Sequence, residues 1–129
     1  GHTVVRGIDE LPIWAVAATQ AAGVSQAKDA AELRVKEVDR ISVLAGELRK
    51  LGAEMTESPD GFAVAGPLRL YGGEVDSHDD HRLGMSLAVA GLVTHGLTLV
   101  QDAGCIADSF PGFVEMMQSI GANIEWTEQ

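Results

Sequence analysis

The stretch "AAGVSQAKDA" (residues 21–30) is echoed by "THGLTLVQDA" (residues 94–103), and the echo sets Gly23 against Gly96 and Asp29 against Asp102. Further along, "LRKLGAEM" (48–55) is answered by "MQSIGANI" (117–124), with Gly52 against Gly121. Matches that recur in one order along both halves indicate two copies of one supersecondary unit. Each half reads as helix, Gly, short strand, loop, helix, Gly, strand. The units are placed at approximately 9–66 and 67–129.

Working outward, Pro12 suits an early helical position, so the first helix is predicted from there through Ala21, with Gly23 as its C-cap. "VSQAKDA" follows as a short strand. Ile41, Leu44, Leu48 and Leu51 recur at helical spacing and predict a helix from about Asp39 to Leu51, closed by Gly52. "AEMTES" and "FAVAG" read as two strands of a hairpin turning at Pro59-Asp60-Gly61. "LRLYG" and "GEVDS" are weaker strand candidates. The second copy opens with a helix from about His81 to Val93 and continues with the strand "LTLVQD". Ser109 is expected as the N-cap of a helix reaching Ile120, and "ANIEW" as the last strand. The class is α/β with mixed strands, each apolar sheet face needing helices over it.

At 129 residues the chain suits one domain with one modest core. Its net charge of −10 argues against a nucleic-acid binder, because phosphate backbones demand a basic surface. A few local cations can still outweigh that charge for a small anion at close range. No apolar run reaches the length of a membrane span, and no signal-peptide pattern opens the chain. The one cysteine, Cys105, has no internal disulfide partner and fits a reducing compartment, which for this chain means the cytoplasm. Cys105 reads as a small core or loop residue. The four histidines, His2, His78, His81 and His95, lack metal-ligand spacing, so no metal is expected. The glycine-rich stretches form no dinucleotide or P-loop fingerprint.

Charged residues gather just before three predicted helices: "RGIDELP" (6–12), "RVKEVDR" (34–40) and "SHDDHR" (77–82). A helix N-terminus favours anions, so Asp9, Glu10, Asp39 and Asp80 read first as caps. Arginine there works against the helix dipole unless it faces an anion. For Arg40 and Arg82 two readings stand: an ion pair, such as Arg40 with Glu37, or a guanidinium fork for phosphate or carboxylate. His81 alone reads as a structural hydrogen-bonding residue.

At these clusters the chain resembles a known family. "IDELP" (8–12), "AELRVKEVDRI" (31–41), "DHRLGMSLAVAGL" (80–92) and "SFPGF" (109–113) are similar, in order, to the C-terminal part of 5-enolpyruvylshikimate-3-phosphate synthases. The sister family, UDP-N-acetylglucosamine enolpyruvyl transferase, matches these stretches poorly. The resemblance implies an enolpyruvyl transferase domain, an inside-out α/β barrel built of repeated βαβαββ-type units, of which this chain is a partial one. It implies transfer of the enolpyruvyl group of phosphoenolpyruvate to the 5-hydroxyl of shikimate 3-phosphate, with release of phosphate and no cofactor. It also implies that the missing N-terminal portion of the same enzyme is this chain's partner, supplying the opposite wall of the cleft, so that the fragment alone is inactive.

Carried over by position, the resemblance makes Asp9 a proton acceptor that also binds substrate, and Glu37 the group for proton transfer at the methylene. Lys36 becomes a shikimate 3-phosphate contact beside the reacting centre. Arg40 and Arg82 become the phosphoenolpyruvate arginines, with Asp80 and His81 in supporting places. Arg34 and Asp39 read as accompanying ion-pair or capping groups. Three positions depart from the family pattern: Asp79 stands for Gly, Gly84 for Ala, and Asp108 for Lys. The alternative reading is a non-catalytic module of the same fold that binds an anion or a partner chain.

Overall fold

The computed structural model describes residues 2–5, 11–35 and 39–127. Two β-strands, β1 (His2–Val5) and β2 (Gly23–Ala27), run parallel with α1 (Leu11–Gln20) between them in sequence. Parallel neighbours need such a crossover element. A 3₁₀ helix (Ala31–Val35) leads to α2 (Arg40–Lys50), and the hairpin of β3 (Met55–Ser58) and β4 (Gly61–Gly66) follows. The strand order β1-β2-β4-β3 makes a mixed sheet, with β4 antiparallel to both neighbours. The hairpin turn is tied to the loop after β2: Ala30 N–H donates to Asp60 O at 2.8 Å, and Asp29 N–H to Asp60 Oδ2 at 3.1 Å.

In the second half, β5 (Leu70–Tyr71) pairs in parallel with β7 (Thr94–His95), and β6 (Glu74–Asp76) with β8 (Leu99–Gln101). The crossover between them is α3 (His81–Gly91), and two short helices follow, α4 (Gly104–Ser109) and α5 (Phe113–Ser119).

The positions that the repeat aligns share an unusual backbone. Gly23 and Gly96 have φ of 95° and 107°, Asp29 and Asp102 have 60° and 56°, and Gly52 and Gly121 have 94° and 99°. Left-handed φ is costly for residues with a Cβ, and aspartate is one of the few that tolerate it. The sequence echo thus coincides with three pairs of matching turns.

The helical stripe of α2 is buried, with Ile41, Leu48 and Leu51 fully so, against β3 and β6. α1 packs on β4 and α3, and Trp14 tilts over Phe62 with ring centroids 6.0 Å apart. One core therefore joins both halves through Phe62, Val64, Leu70, Val75, Leu83 and Leu87. Each such fully buried side chain contributes about 1.5–3 kcal/mol of transfer free energy. A smaller cluster of Ile106, Phe113 and Val114 lies under α4 and α5.

Two expectations are corrected, and one strand is added. Ser109 is not an N-cap but the last residue of α4, which the sequence reading did not separate. The break falls at Pro111, which lacks an N–H, and at Gly112, whose φ of 84° starts α5 without a side-chain cap. "ANIEW" forms no strand: β3 is held by β4, and among the described residues no strand lies beside Ala122–Thr127. β1 was not anticipated from the sequence.

Candidate functional site

Among the residues carried over by resemblance, Asp9, Lys36 and Glu37 lie outside the described residues. Arg40, Asp80, His81 and Arg82 are described, and the structure places them at two helix starts. Asp39 caps α2, its Oδ1 accepting Ser42 N–H at 3.0 Å, and Arg40 is the first residue inside. Asp80 caps α3, its Oδ1 accepting the N–H groups of Arg82 and Leu83 at 3.0 and 3.2 Å. α2 and α3 pack against each other, so both helix starts belong to one packed unit.

The arginine side chains at both starts are exposed, and among the described residues neither has an ion-pair or hydrogen-bond partner. The expected Arg40–Glu37 pair falls partly outside the described residues. His81 is partly buried at the head of α3.

Arg34, by contrast, is fully engaged. Its Nη1 donates to Asp39 Oδ2 and Glu57 Oε1, each at 2.9 Å, and to Ser42 Oγ at 3.0 Å; its Nη2 donates to Ser58 O at 2.6 Å. Glu57 also accepts from Ser42 Oγ at 2.8 Å and Arg49 Nη1 at 2.9 Å. Hydrogen bonding to Arg34, then the Ser42 N–H, holds the Asp39 carboxyl below its ordinary range. Arg49, then Ser42 and Arg34, do the same for Glu57. Asp39 and Glu57 in turn push the Arg34 guanidinium up against an opposing burial cost.

A second network joins α2 to the segment before α3. Glu47, 5% exposed, accepts both Lys50 Nζ contacts at 2.9 Å, Asp76 N–H at 2.7 Å and His78 Nε2 at 3.1 Å. Burial works to raise Glu47, but Lys50, His78 and the Asp76 N–H outweigh it and lower its pKa. His78 and Asp79 both take left-handed backbone, φ 53° and 58°. The Gly of the family pattern at position 79 suits that conformation, and Asp79 adopts it with its N–H on Ser77 Oγ at 3.2 Å.

The sequence reading singled out neither Glu57 nor Glu47. Glu47 stands three residues after Leu44 and four before Leu51, so it falls on the buried stripe, and that spacing was the available signal. For Glu57, in a half-exposed strand, no local signal existed. Gly84 has a steric reason: a Cβ there would sit 3.1 Å from Ser77 Cβ and 3.2 Å from Ile106 Cδ1 and Cγ1. Asp108 is exposed on α4 and supplies no cation where the family pattern has Lys. Cys105 is partly buried on α4, with Ser77 Oγ 3.6 Å from its sulfur. Among the described residues there is no group of three or more potential metal ligands, and no helix is long and apolar enough to cross a membrane.

The chain matches the family model described as EPSP synthase (3-phosphoshikimate 1-carboxyvinyltransferase) over residues 2–128. It is 51% identical over 120 residues to the 3-phosphoshikimate 1-carboxyvinyltransferase of Geobacter sp. (strain M21), covering 93% of this chain and 28% of that protein. It is 48% identical over 126 residues to the enzyme of the same name from Pelotomaculum thermopropionicum, covering 98% of this chain and 29% of that one. It thus spans under a third of the length of these curated relatives. Among solved structures, EPSP synthase from Acinetobacter baumannii superposes with a TM-score of 0.86 at 34% identity, covering 98% of this chain and 32% of that one. The enolpyruvyl transferase NikO from Streptomyces tendae, at 22% identity and TM-score 0.78, covers 97% of this chain and 29% of its own and shows the shared fold. On the family match and the fold together, this chain belongs to the EPSP synthase (3-phosphoshikimate 1-carboxyvinyltransferase) family.

Proposed function

We propose that this chain is the C-terminal part of a cytoplasmic, cofactor-independent 3-phosphoshikimate 1-carboxyvinyltransferase, made of repeat units at approximately 9–66 and 67–129. Its substrates are shikimate 3-phosphate and phosphoenolpyruvate, and its partner is the N-terminal portion of the same enzyme. The observation that carries this reading is the pair of helix starts. Arg40 and Arg82 each stand at the positive end of a helix, exposed and without a partner among the described residues. A cation placed against the helix dipole costs a few tenths of a kcal/mol unless an anion joins it, and phosphoenolpyruvate brings a carboxylate and a phosphate.

In the reaction, the 5-hydroxyl oxygen of shikimate 3-phosphate bonds to C2 of phosphoenolpyruvate while the methylene carbon takes a proton. The tetrahedral intermediate then loses phosphate and a methyl proton, which restores the enol ether. Asp9 accepts the hydroxyl proton, Glu37 transfers the proton at the methylene, and Lys36 binds shikimate 3-phosphate and places positive charge beside the reacting centre. Arg40 and Arg82 hold the phosphoenolpyruvate anion, with Asp80 and His81 fixing the second helix start. The opposite wall of the cleft has to come from the partner portion, so the chain alone leaves the reactants unoriented and wet.

The test joins this chain to the N-terminal portion of the Geobacter relative and measures phosphate release from the two substrates. Turnover by the joined polypeptide is expected, with none from the 129-residue chain alone. Replacing Glu37 by Gln lowers that turnover by about 10²–10⁴-fold. A folded joined polypeptide that binds the substrates but never turns over supports instead a non-catalytic anion- or partner-binding module.

A further inference from the structure

The start of α2 is held by more than a helix cap requires. A cap needs one carboxylate oxygen on one or two N–H groups. Here Asp39 has both oxygens committed: Oδ1 to the Ser42 N–H at 3.0 Å and Oδ2 to Arg34 Nη1 at 2.9 Å. Arg34 is in turn anchored on the end of β3, through Glu57 Oε1 at 2.9 Å and Ser58 O at 2.6 Å. Ser42, in the first turn of α2, closes the ring with a bond to Glu57 Oε1 at 2.8 Å. The helix start is therefore fixed to the sheet, not merely capped. The residue it presents next is Arg40, which is exposed and takes no part in the ring.

We propose that Arg34 is a positioning residue for Arg40. Through Asp39, Glu57 and Ser58 it locks the first turn of α2 against β3, and so holds the Arg40 backbone where its guanidinium meets the phosphoenolpyruvate anion. This rests on the reading of Arg40 as a phosphoenolpyruvate contact. The two η nitrogens of arginine serve Asp39, Glu57, Ser42 and Ser58 from one planar fork; the single nitrogen of a lysine reaches fewer of them, and Asp39 Oδ2, which has no other donor among the described residues, is the oxygen most exposed to that loss. Once the ring opens, Asp39 can rotate away from the Ser42 N–H, and the first turn loses both its cap and its tie to the sheet. The anion then has to order Arg40 on binding, and affinity falls by that ordering cost.

The experiment is a double-mutant cycle in the polypeptide joined to the Geobacter N-terminal portion, reading KM for each substrate. Arg34→Met is expected to raise KM for phosphoenolpyruvate by about tenfold, within the range of coupling between residues of one network, and KM for shikimate 3-phosphate by less than about twofold. In an Arg40→Lys background the same Arg34 change should move KM for phosphoenolpyruvate by less than about twofold, because the group it positions is already compromised. Arg34→Lys should recover part of the loss. Glu57→Gln, which keeps an acceptor for Ser42 and is gentler on folding, should act in the same direction with about a threefold rise, and it carries the cycle if Arg34→Met does not fold. An Arg34 effect of equal size in both backgrounds, or an equal rise in KM for both substrates, would make the ring a merely structural brace and overturn the proposal. If Arg40→Lys leaves both KM values unchanged, the reading of Arg40 falls first and the proposal with it.

Discussion

Gly84→Ala sets two effects against each other, and the structure decides between them. Alanine in a helix interior is worth about 1 kcal/mol over glycine, and the family pattern has Ala here. The new methyl, however, would sit 3.1 Å from Ser77 Cβ and 3.2 Å from both Ile106 Cδ1 and Cγ1. Ser77 cannot retreat. It is fully buried, its N–H donates to Gln101 O at 3.1 Å, its hydroxyl donates to Asp102 O at 2.6 Å, and the same hydroxyl accepts Asp79 N–H at 3.2 Å. Ile106 is pinned among Phe113 and Val114. Overpacking of this kind costs about 1–3 kcal/mol, so the substitution should destabilise by about 1 kcal/mol net.

Urea unfolding of the chain, followed by circular dichroism, measures this directly. Gly46→Ala in α2 is the matched control, because a Cβ at Gly46 meets nothing within 4 Å. That variant should gain about 1 kcal/mol, so the two glycines should move in opposite directions. Ile106→Val removes Cδ1 and costs about 1 kcal/mol alone; in that background the Gly84→Ala penalty should shrink without vanishing, because Cγ1 and Ser77 Cβ stay in place. A stabilising Gly84→Ala in the native background, or a penalty unchanged by Ile106→Val, would refute the steric account.

Three more outcomes are expected. In the joined polypeptide, Arg40→Lys and Arg82→Lys should each raise KM for phosphoenolpyruvate at least about tenfold more than KM for shikimate 3-phosphate, since the fork and not the charge alone is lost; equal effects on both would reassign these arginines. Glu47→Ala should cost about 2 kcal/mol in urea unfolding because it strips the buried acceptor from the Asp76 N–H, whereas Lys50→Ala, whose side chain is half-exposed, should cost under about 1 kcal/mol. The folded pKa values of Asp39, Glu47 and Glu57 are depressed, so between folded and unfolded values the unfolded chain binds more protons and stability rises with pH. Their contribution should be complete above about pH 5 and fall away as pH drops through about 4 and below; a midpoint independent of pH from 3 to 6 would contradict the networks.

What the sequence disclosed follows from what is local. The stripe Ile41, Leu44, Leu48 and Leu51, the caps Asp39 and Asp80, and the Pro59-Asp60-Gly61 turn are all decided within a few residues, and each stands in the structure as read. The misses depend on distant partners. β1 exists because β2 pairs with it, and "ANIEW" stays irregular because no strand lies beside it among the described residues. Glu57 reads as an ordinary polar strand residue until Arg34, 23 positions away, reaches it. At the candidate site, the cations and caps were legible from their places before helices, but the ring that fixes one of those helix starts was not.

The two halves show why the proposed chemistry sits where it does. After β2 and after β8 the chain makes the same left-handed turn, at Asp29 and Asp102. From there the first copy runs "AAELRVKEVDR" (30–40) and the second "AGCIADSFPGF" (103–113). The left-handed turn recurs, whereas the charge does not: the first loop holds three cations, and the second holds none and carries Asp108. In the first copy, Arg34 and Asp39 turn the loop's own charges inward to brace α2 and leave Arg40 outside the brace. In the second, Pro111 and the left-handed Gly112 split the corresponding stretch into α4 and α5, with no side-chain cap at either start. An anion approaching these paired turns therefore finds cations in the first loop only. Within this chain, a second cation has to come from the start of α3, where Arg82 follows Asp80.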